Sequence, residues 1–282
     1  MAQILRAQKL IAVIHKGSSL PIVVKAYDHR PYLVKLQGTA EGPTTLVVEW
    51  LATYLAYLLQ LPVPVPQLMT VDKTLTNIPA HQEIRELIVK SSGVNLAFPF
   101  FMNTTPFDIT SDASLPRRTL DDLFLFDCLL LNIDRTPPNP NLFHADGKLW
   151  ATDYGSSMLL KQIVTNAPYT LKTLLPEIKR NPLYRTGIDP STFIAKLKAV
   201  NPKALLQIAG LMPSAWFMEP ANQSIAGRIK LADDLHQALQ QAETRLQEML
   251  PLLHHLSIPT EEERLAKAQK NSAALRSKLK RP

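Results

Sequence analysis

Along the first 95 positions the apolar residues fall in short runs bounded by turn residues, the rhythm of strands. Ile22-Val-Val-Lys-Ala-Tyr27 and Pro31-Tyr-Leu-Val-Lys-Leu36 are β-branched or alternating, and Asp28-His-Arg30 between them reads as a hairpin turn. From residue 44 to 60 the pattern changes to a helix. Leu46, Val47, Trp50, Leu51, Tyr54, Leu55 and Leu58 surround it on nearly every side, so it is expected to lie buried between other elements. Leu61-Pro-Val-Pro-Val-Pro66 ends it, because proline cannot continue a helix and pushes its predecessor to extended geometry. Further strands are expected near residues 67–71 and 83–90.

Beyond residue 95 the pattern turns helical. Thr119-Leu-Asp-Asp122 resembles a helix cap with an acid three residues on, opening an apolar helix over 123–131. A polar loop over 132–141 follows, then a strand, the turn Ala145-Asp-Gly-Lys148, a second strand and Asp153-Tyr-Gly155. Several helices are expected from residue 170. The clearest runs over 226–250, with Leu231, Leu235, Leu239, Ala242, Leu246 and Leu250 on one stripe. No internal repeat or low-complexity segment interrupts this order. The expectation is an α+β, bilobal chain. A small β-rich N-lobe with one helix spans 1–95, a larger helical C-lobe spans 96–263, a basic tail spans 264–282, and a cleft separates the lobes.

At 282 residues, 46% of them apolar and 20% charged, the chain has enough material for a real core. No apolar stretch reaches the length of a membrane span, and Met1-Ala-Gln-Ile-Leu-Arg6 lacks the plan of a secretory signal. Cys128, the single cysteine, falls in an apolar helix and has no partner for an internal disulfide, which suits a reducing cytoplasm. The net charge of +7 raises the question of nucleic acid. Of the 31 basic residues, seven lie in 264–282, leaving 24 against 24 acids in the rest. The excess is a tail, read first as a solvated end, and nucleic acid or an anionic surface would be contacted only through it. Such binding would weaken steeply with salt and vanish on removal of 264–282.

The candidate chemistry sits in Asn132-Ile-Asp-Arg-Thr-Pro-Pro-Asn-Pro-Asn141, a proline-stiffened polar loop directly after a buried helix. A hairpin returns its second strand to the start of its first, so Asp153 is brought back beside Asn139 and Asn141. One carboxylate and one amide oxygen are hard donors suited to Mg²⁺, which keeps few protein ligands beside phosphate and water. Asp153 is one metal-ligand candidate; for the other, Asn139 leads and Asn141 stays open. Gly155 would permit a tight turn after the ligand. Asp127 is expected to brace the loop, and Cys128 to be a core thiol. His254 and His255 are adjacent, so their side chains diverge and a metal there is not expected.

An Asp, an Asn five residues later, a hairpin, and then Asp-aromatic-Gly nineteen residues after the first Asp is the order of a protein-kinase active site. The wording Asn-Ile-Asp-Arg-Thr-Pro-Pro-Asn-Pro-Asn-Leu, followed by Leu-Trp-Ala-Thr-Asp-Tyr-Gly, resembles the HipA-like kinase family, with Asp before Arg rather than after it. The likeness runs in recognisable order over about residues 10–160, with Leu211-Met-Pro-Ser-Ala-Trp216 an isolated echo beyond it. It implies a protein-kinase-like fold binding ATP and Mg²⁺, with Asp134 as the catalytic base. It also implies Lys35 on the nucleotide phosphates, paired with Glu49, the one acid of the 44–60 helix. Leu33, two residues before Lys35 on the same strand face, would touch adenine. Gly17, Ser18 and Ser19, in His15-Lys-Gly-Ser-Ser-Leu-Pro21, fit the family's short phosphate-covering turn. The acceptor implied is Ser or Thr of a protein, ahead of a phosphoinositide, and a regulatory or antitoxin-like protein partner is a further implication. The alternative is a pseudokinase-like nucleotide-binding regulator without transfer activity. Against it, Lys35, Asp134, Asn139 and Asp153 are all intact.

Overall fold

The computed structural model describes residues 4–15, 20–76, 82–108, 116–259 and 263. Five strands close into a barrel: β1 (Leu5–Val13), β2 (Ile22–Ala26), β3 (Pro31–Lys35), β4 (Gln67–Val71) and β5 (Gly93–Pro99), in the order β1-β2-β3-β5-β4. All pairs are antiparallel except β1–β4, which run parallel through Leu5↔Met69 and Arg6↔Thr70. Closure leaves no unpaired sheet edge. Alternation does the sorting in β3: Tyr32 and Val34 point into the barrel, and Leu33 and Lys35 point out.

Two helices interrupt the strands, where the sequence pattern leads one to expect a single helix. Residues 83–90, expected as a strand, lie in helix α2 (Gln82–Lys90); α1 is Thr44–Leu58. The buried apolar positions of α2 are Ile84, Leu87 and Ile88, a spacing of three and four that makes one helical face, and all three enter the barrel core, while Val89 stays exposed. The strand that was needed is β5, just beyond. By contrast α1 shares its core with the helical lobe, not with the barrel interior. Its expected burial holds: ten of its 15 residues are buried.

The second lobe starts with a short strand β6 (Thr105–Pro106) and helix α3 (Arg117–Leu130). Thr119 is not the cap: the helix begins two residues earlier, after Pro116, whose ring fixes the entering backbone. The hairpin β7 (Leu142–Ala145) and β8 (Lys148–Ala151) completes a three-stranded sheet with β6. Helices α4 (Met158–Thr165), α5 (Leu171–Lys179), α6 (Ser191–Lys198), α7 (Pro202–Leu211), α8 (Pro220–Gln223), α9 (Ile225–Gln240) and α10 (Ala242–His255) form the rest. The expected single helix over 226–250 is two, broken at Gln241, yet the stripe survives the break: Leu231, Leu235, Leu239, Ala242 and Leu246 are buried, and Leu250 is half-buried. Among the described residues no helix is long and apolar enough to cross a membrane. The tail 264–282 lies outside the described residues.

The split stripe predicts graded costs. Leu246→Ala removes a side chain with 0% exposure and should lower unfolding free energy by about 2–5 kcal/mol, the range for a buried leucine. Leu250→Ala should cost clearly less. Urea denaturation of the two variants checks this, and equal losses would contradict the two-helix packing.

Candidate functional site

The loop over 132–141 is aimed by the end of α3. Leu131 adopts the left-handed conformation (φ 53°), the Leu131 N–H donates to the Cys128 carbonyl, and the Asn132 N–H donates to the Asp127 carbonyl. This closing turn normally takes glycine. Leucine there costs about 1–2 kcal/mol, and it turns Asn132 back onto Asp127, whose Oδ1 accepts from Asn132 Nδ2 at 2.8 Å. Asp127 Oδ2 accepts from Arg135 Nε at 2.6 Å and from Asn181 Nδ2 at 2.7 Å. Arg135 spends its remaining reach on the far end of the loop, donating from NH1 to the carbonyls of Pro140 (2.8 Å) and Asn141 (2.9 Å). Its guanidinium also faces the ring of Tyr154 at 5.0 Å. Both Asp127 and Arg135 are fully buried, and burial works against the Arg135 cation until Asp127 reverses the effect and holds its pKa above the ordinary value.

With both ends tied, the middle of the loop presents Asp134. Its N–H donates to Asn132 Oδ1 at 3.3 Å, and its Oδ2 accepts from Asn139 Nδ2 (3.2 Å) and Asn141 Nδ2 (3.3 Å). The two asparagines therefore flank the same carboxylate. Burial and then the nearby Asp153 charge push the Asp134 pKa up, and hydrogen bonds from Asn141 and Asn139 offset this only in part.

Asp153 arrives from β8, which is docked by Ala151 N–H on the Pro62 carbonyl at 2.7 Å and by Thr152 N–H on the Asn141 carbonyl at 3.0 Å. Asp153 itself sits at φ 62°. Gly155 has no positive φ, so the turn is not what demands glycine there. A Cβ on Gly155 would lie 2.8 Å from Thr45 Cγ2 and 3.3 Å from Glu49 Oε2, so glycine is required by the close approach of α1.

From the other lobe, Lys35 Nζ stands 2.7 Å from Asp153 Oδ1 and 3.1 Å from Glu49 Oε2. Burial alone would lower the lysine pKa, but the carboxylates of Asp153 and Glu49 overcome it and keep the ammonium charged. Burial pushes Glu49 up; Lys35 pulls it down and Asp153 pushes it up further. The paired lysine expected for Glu49 is thus in place.

These groups converge on one cavity of about 810 Å³, which Leu33, Lys35, Glu49, Asp134, Asn139 and Asp153 all line. Gly17, Ser18 and Ser19 lie outside the described residues. The sequence reading missed part of the wall. Phe98, Phe100, Phe101 and Met102 form its apolar side, and their signal was the run Phe98-Pro-Phe-Phe-Met102 at the end of β5. Thr39 and Thr45 line the polar end. Asn181 had no sequence signal at all, since it meets Asp127 from 54 residues away. Among the described residues no group of three or more His, Cys, Asp or Glu is placed to hold a metal ion. A metal here would take one carboxylate, Asp153, and an amide oxygen of Asn139 or Asn141, and that hard-oxygen set fits Mg²⁺ held largely by phosphate and water.

The sequence pattern that defines the HipA-like kinase family matches residues 7–246. The crystal structure of a Helicobacter pylori proinflammatory kinase, CtkA, superposes with a TM-score of 0.50 and 13% identity, covering 92% of this chain and 100% of that one. At that identity the likeness is one of fold, and the fold is the bilobal kinase-like one. The MAP kinase LmaMPK10 from Leishmania major aligns over 95% of this chain and 92% of that one at 10% identity, but with a TM-score of 0.25 it supports no argument. No curated protein matches the sequence.

The raised pKa of Asp134 fixes a sign. The folded state holds that proton more tightly than the unfolded state, so stability falls as pH rises from the unfolded value toward the folded one. At pH 7 the ionised carboxylate is a net cost to folding. Asp134→Asn should therefore raise the thermal midpoint at pH 7, and the gain should disappear in acid below the ordinary aspartate value of 3.8, where both states are protonated. A variant less stable than wild type at pH 7 would contradict this.

Proposed function

The chain belongs to the HipA-like kinase family, and from that premise we propose that it transfers the γ-phosphoryl group of ATP to a hydroxyl, most naturally a Ser or Thr of a protein, in a cytoplasmic setting. The observation that carries the reading is the meeting of Lys35 from β3, Glu49 from α1 and Asp153 after β8 within 3.1 Å of one ammonium, at the wall of a cavity that Asp134 also lines.

The roles follow from the chemistry of each group. Lys35 is kept charged by two carboxylates and supplies the cation for the nucleotide phosphates. Glu49, 1% exposed, fixes that cation in direction rather than reacting itself. Leu33 and the apolar side from Phe98 to Met102 accept the base, and Gly17, Ser18 and Ser19 are assigned to phosphate contact. Asp153 and Asn139, with Asn141 as the alternative amide, would hold Mg²⁺, which would offset the negative charge of the nucleotide phosphates. Asp134 accepts or orients the proton of the attacking hydroxyl. Its Oδ2 is already held by two amides, so Oδ1 is the oxygen left for the incoming O–H. A pKa pushed up by burial improves it as a proton acceptor at neutral pH.

Incubation with Mg²⁺, γ-labelled ATP and a cellular protein extract, read by phosphosite mass spectrometry, tests the transfer. Wild type should label Ser or Thr of itself or of an extract protein. Asp134→Asn should lose about 10²–10⁴ of that rate, the usual worth of a positioned base, while still binding ATP. Equal labelling by wild type and Asp134→Asn would overturn the assignment of the base, and no labelling by wild type would overturn the transfer reading.

A further inference from the structure

The helix that carries Glu49 is fastened across the lobes by two indoles. Trp50, the next residue, is 1% exposed and donates its Nε1 hydrogen to the Ile208 carbonyl of α7 at 3.0 Å. That carbonyl is among the last four of its helix, which lack intrahelical donors. Trp216, on the 3-10 turn Ser214–Trp216, is 0% exposed and donates Nε1 to the Val94 carbonyl of β5 at 2.8 Å. The two rings meet edge to face with centroids 6.0 Å apart, and Tyr54, one turn along α1, tilts against Trp50 at 4.5 Å. An N-lobe indole thus holds a C-lobe carbonyl, and a C-lobe indole holds an N-lobe carbonyl.

Both anchors stand beside the Lys35–Glu49 pair. Trp50 follows Glu49 directly. Val94 lies two residues before Leu96, the cross-strand partner of Lys35. Away from the cavity, α1 packs on α4, α7, β5 and the 3-10 turn, and α4 begins five residues after Asp153. No long segment separates the Asp153 turn from a packed helix, so on its packed sides α1 has no slack neighbour, and its open side faces the cavity that Thr45 and Glu49 line.

We propose that Trp50 and Trp216 are positioning residues that hold Glu49 against Lys35, so that the cleft is assembled before any ligand, partner or phosphorylation acts on it. This rests on the phosphate-binding role given to Lys35 above, but its test does not. In the protein without nucleotide, lysines are acetylated with an N-hydroxysuccinimide ester of acetic acid and each site's rate is read by mass spectrometry. Trp50→Phe and Trp216→Phe keep an aromatic ring and remove the N–H donor together with part of the indole's buried volume, which the Lys25 control reads separately. In wild type, Lys35 should react slowly because its side chain is only 12% exposed and its Nζ is tied to Glu49 and Asp153. In either Phe variant its rate should rise about two- to tenfold, the factor expected from one net hydrogen bond, with half-buried Lys25 on β2 unchanged. Glu49→Gln should also raise it, and adding Trp216→Phe to Glu49→Gln should add nothing, because both act through the same pair.

An unchanged Lys35 rate in both Phe variants overturns the proposal. So does a double variant whose increase is the product of the two single increases. A Lys25 rate that rises in step with Lys35 shows general loosening of the barrel and overturns it as well. A chain that never transfers phosphate still answers this test, so failure of the clasp and failure of the kinase reading remain separate results.

Discussion

Asp127 and Arg135 form an ion pair with no solvent contact, and the placement of every other polar group in the proline loop follows from it. Taking two charges out of water costs several kcal/mol for each, and the attraction recovers this only when the remaining donors and acceptors are also filled. Here Asp127 accepts from Asn132, Arg135 and Asn181, while Arg135 also donates to the Pro140 and Asn141 carbonyls. Pro137, Pro138 and Pro140 have no N–H, and the loop's internal backbone bridge joins only Thr136 and Asn139, each donating its N–H to the other's carbonyl. The guanidinium ties the loop's two ends together. Asp134 lies between those ties, and its position is inherited from them.

The second convergence is between lobes. The barrel contributes Lys35, the next element α1 contributes Glu49 and the hairpin 118 residues beyond Lys35 contributes Asp153, so a single ammonium links three elements of both halves of the chain. Because α1 shares its core with the helical lobe, Glu49 belongs structurally to the same body as Asp153. The lobe-to-lobe relation is therefore written mainly in the approach of β3. The same crowding explains Gly155, where a methyl group would meet Thr45 of α1. It also explains why two carboxylates are pushed upward in pKa: Asp134 and Glu49 are both desolvated, and both feel Asp153. Groups that cost stability in this way mark a cleft shaped for a ligand rather than for folding alone.

Much of this was legible in the sequence because it is local. The alternation in Pro31–Lys35 placed Leu33 and Lys35 together, and the spacing of Asp134, Asn139 and Asp153 across a hairpin fixed their meeting. The failures are also physical. Residues 83–90 mix β-branched and charged residues that suit a strand, yet Ile84, Leu87 and Ile88 make a helical face once a barrel core is there to receive them. The stripe from Leu231 to Leu246 kept its period across a helix break, because burial constrains side chains and not the backbone joining them. Closure of the barrel by β1 and β4, the Asn181–Asp127 bond and the indole pair depend on contacts between distant segments, which no local pattern encodes.

The central claim is that Asp153 joins the two lobes' charges into one metal-dependent nucleotide site. Calorimetric titration of ATP into the protein, with and without Mg²⁺, tests it most directly. The account predicts that wild type binds ATP more tightly with Mg²⁺ than without, and that Asp153→Ala loses the dependence on Mg²⁺. Asp153→Ala binding ATP as tightly as wild type in Mg²⁺ would contradict it.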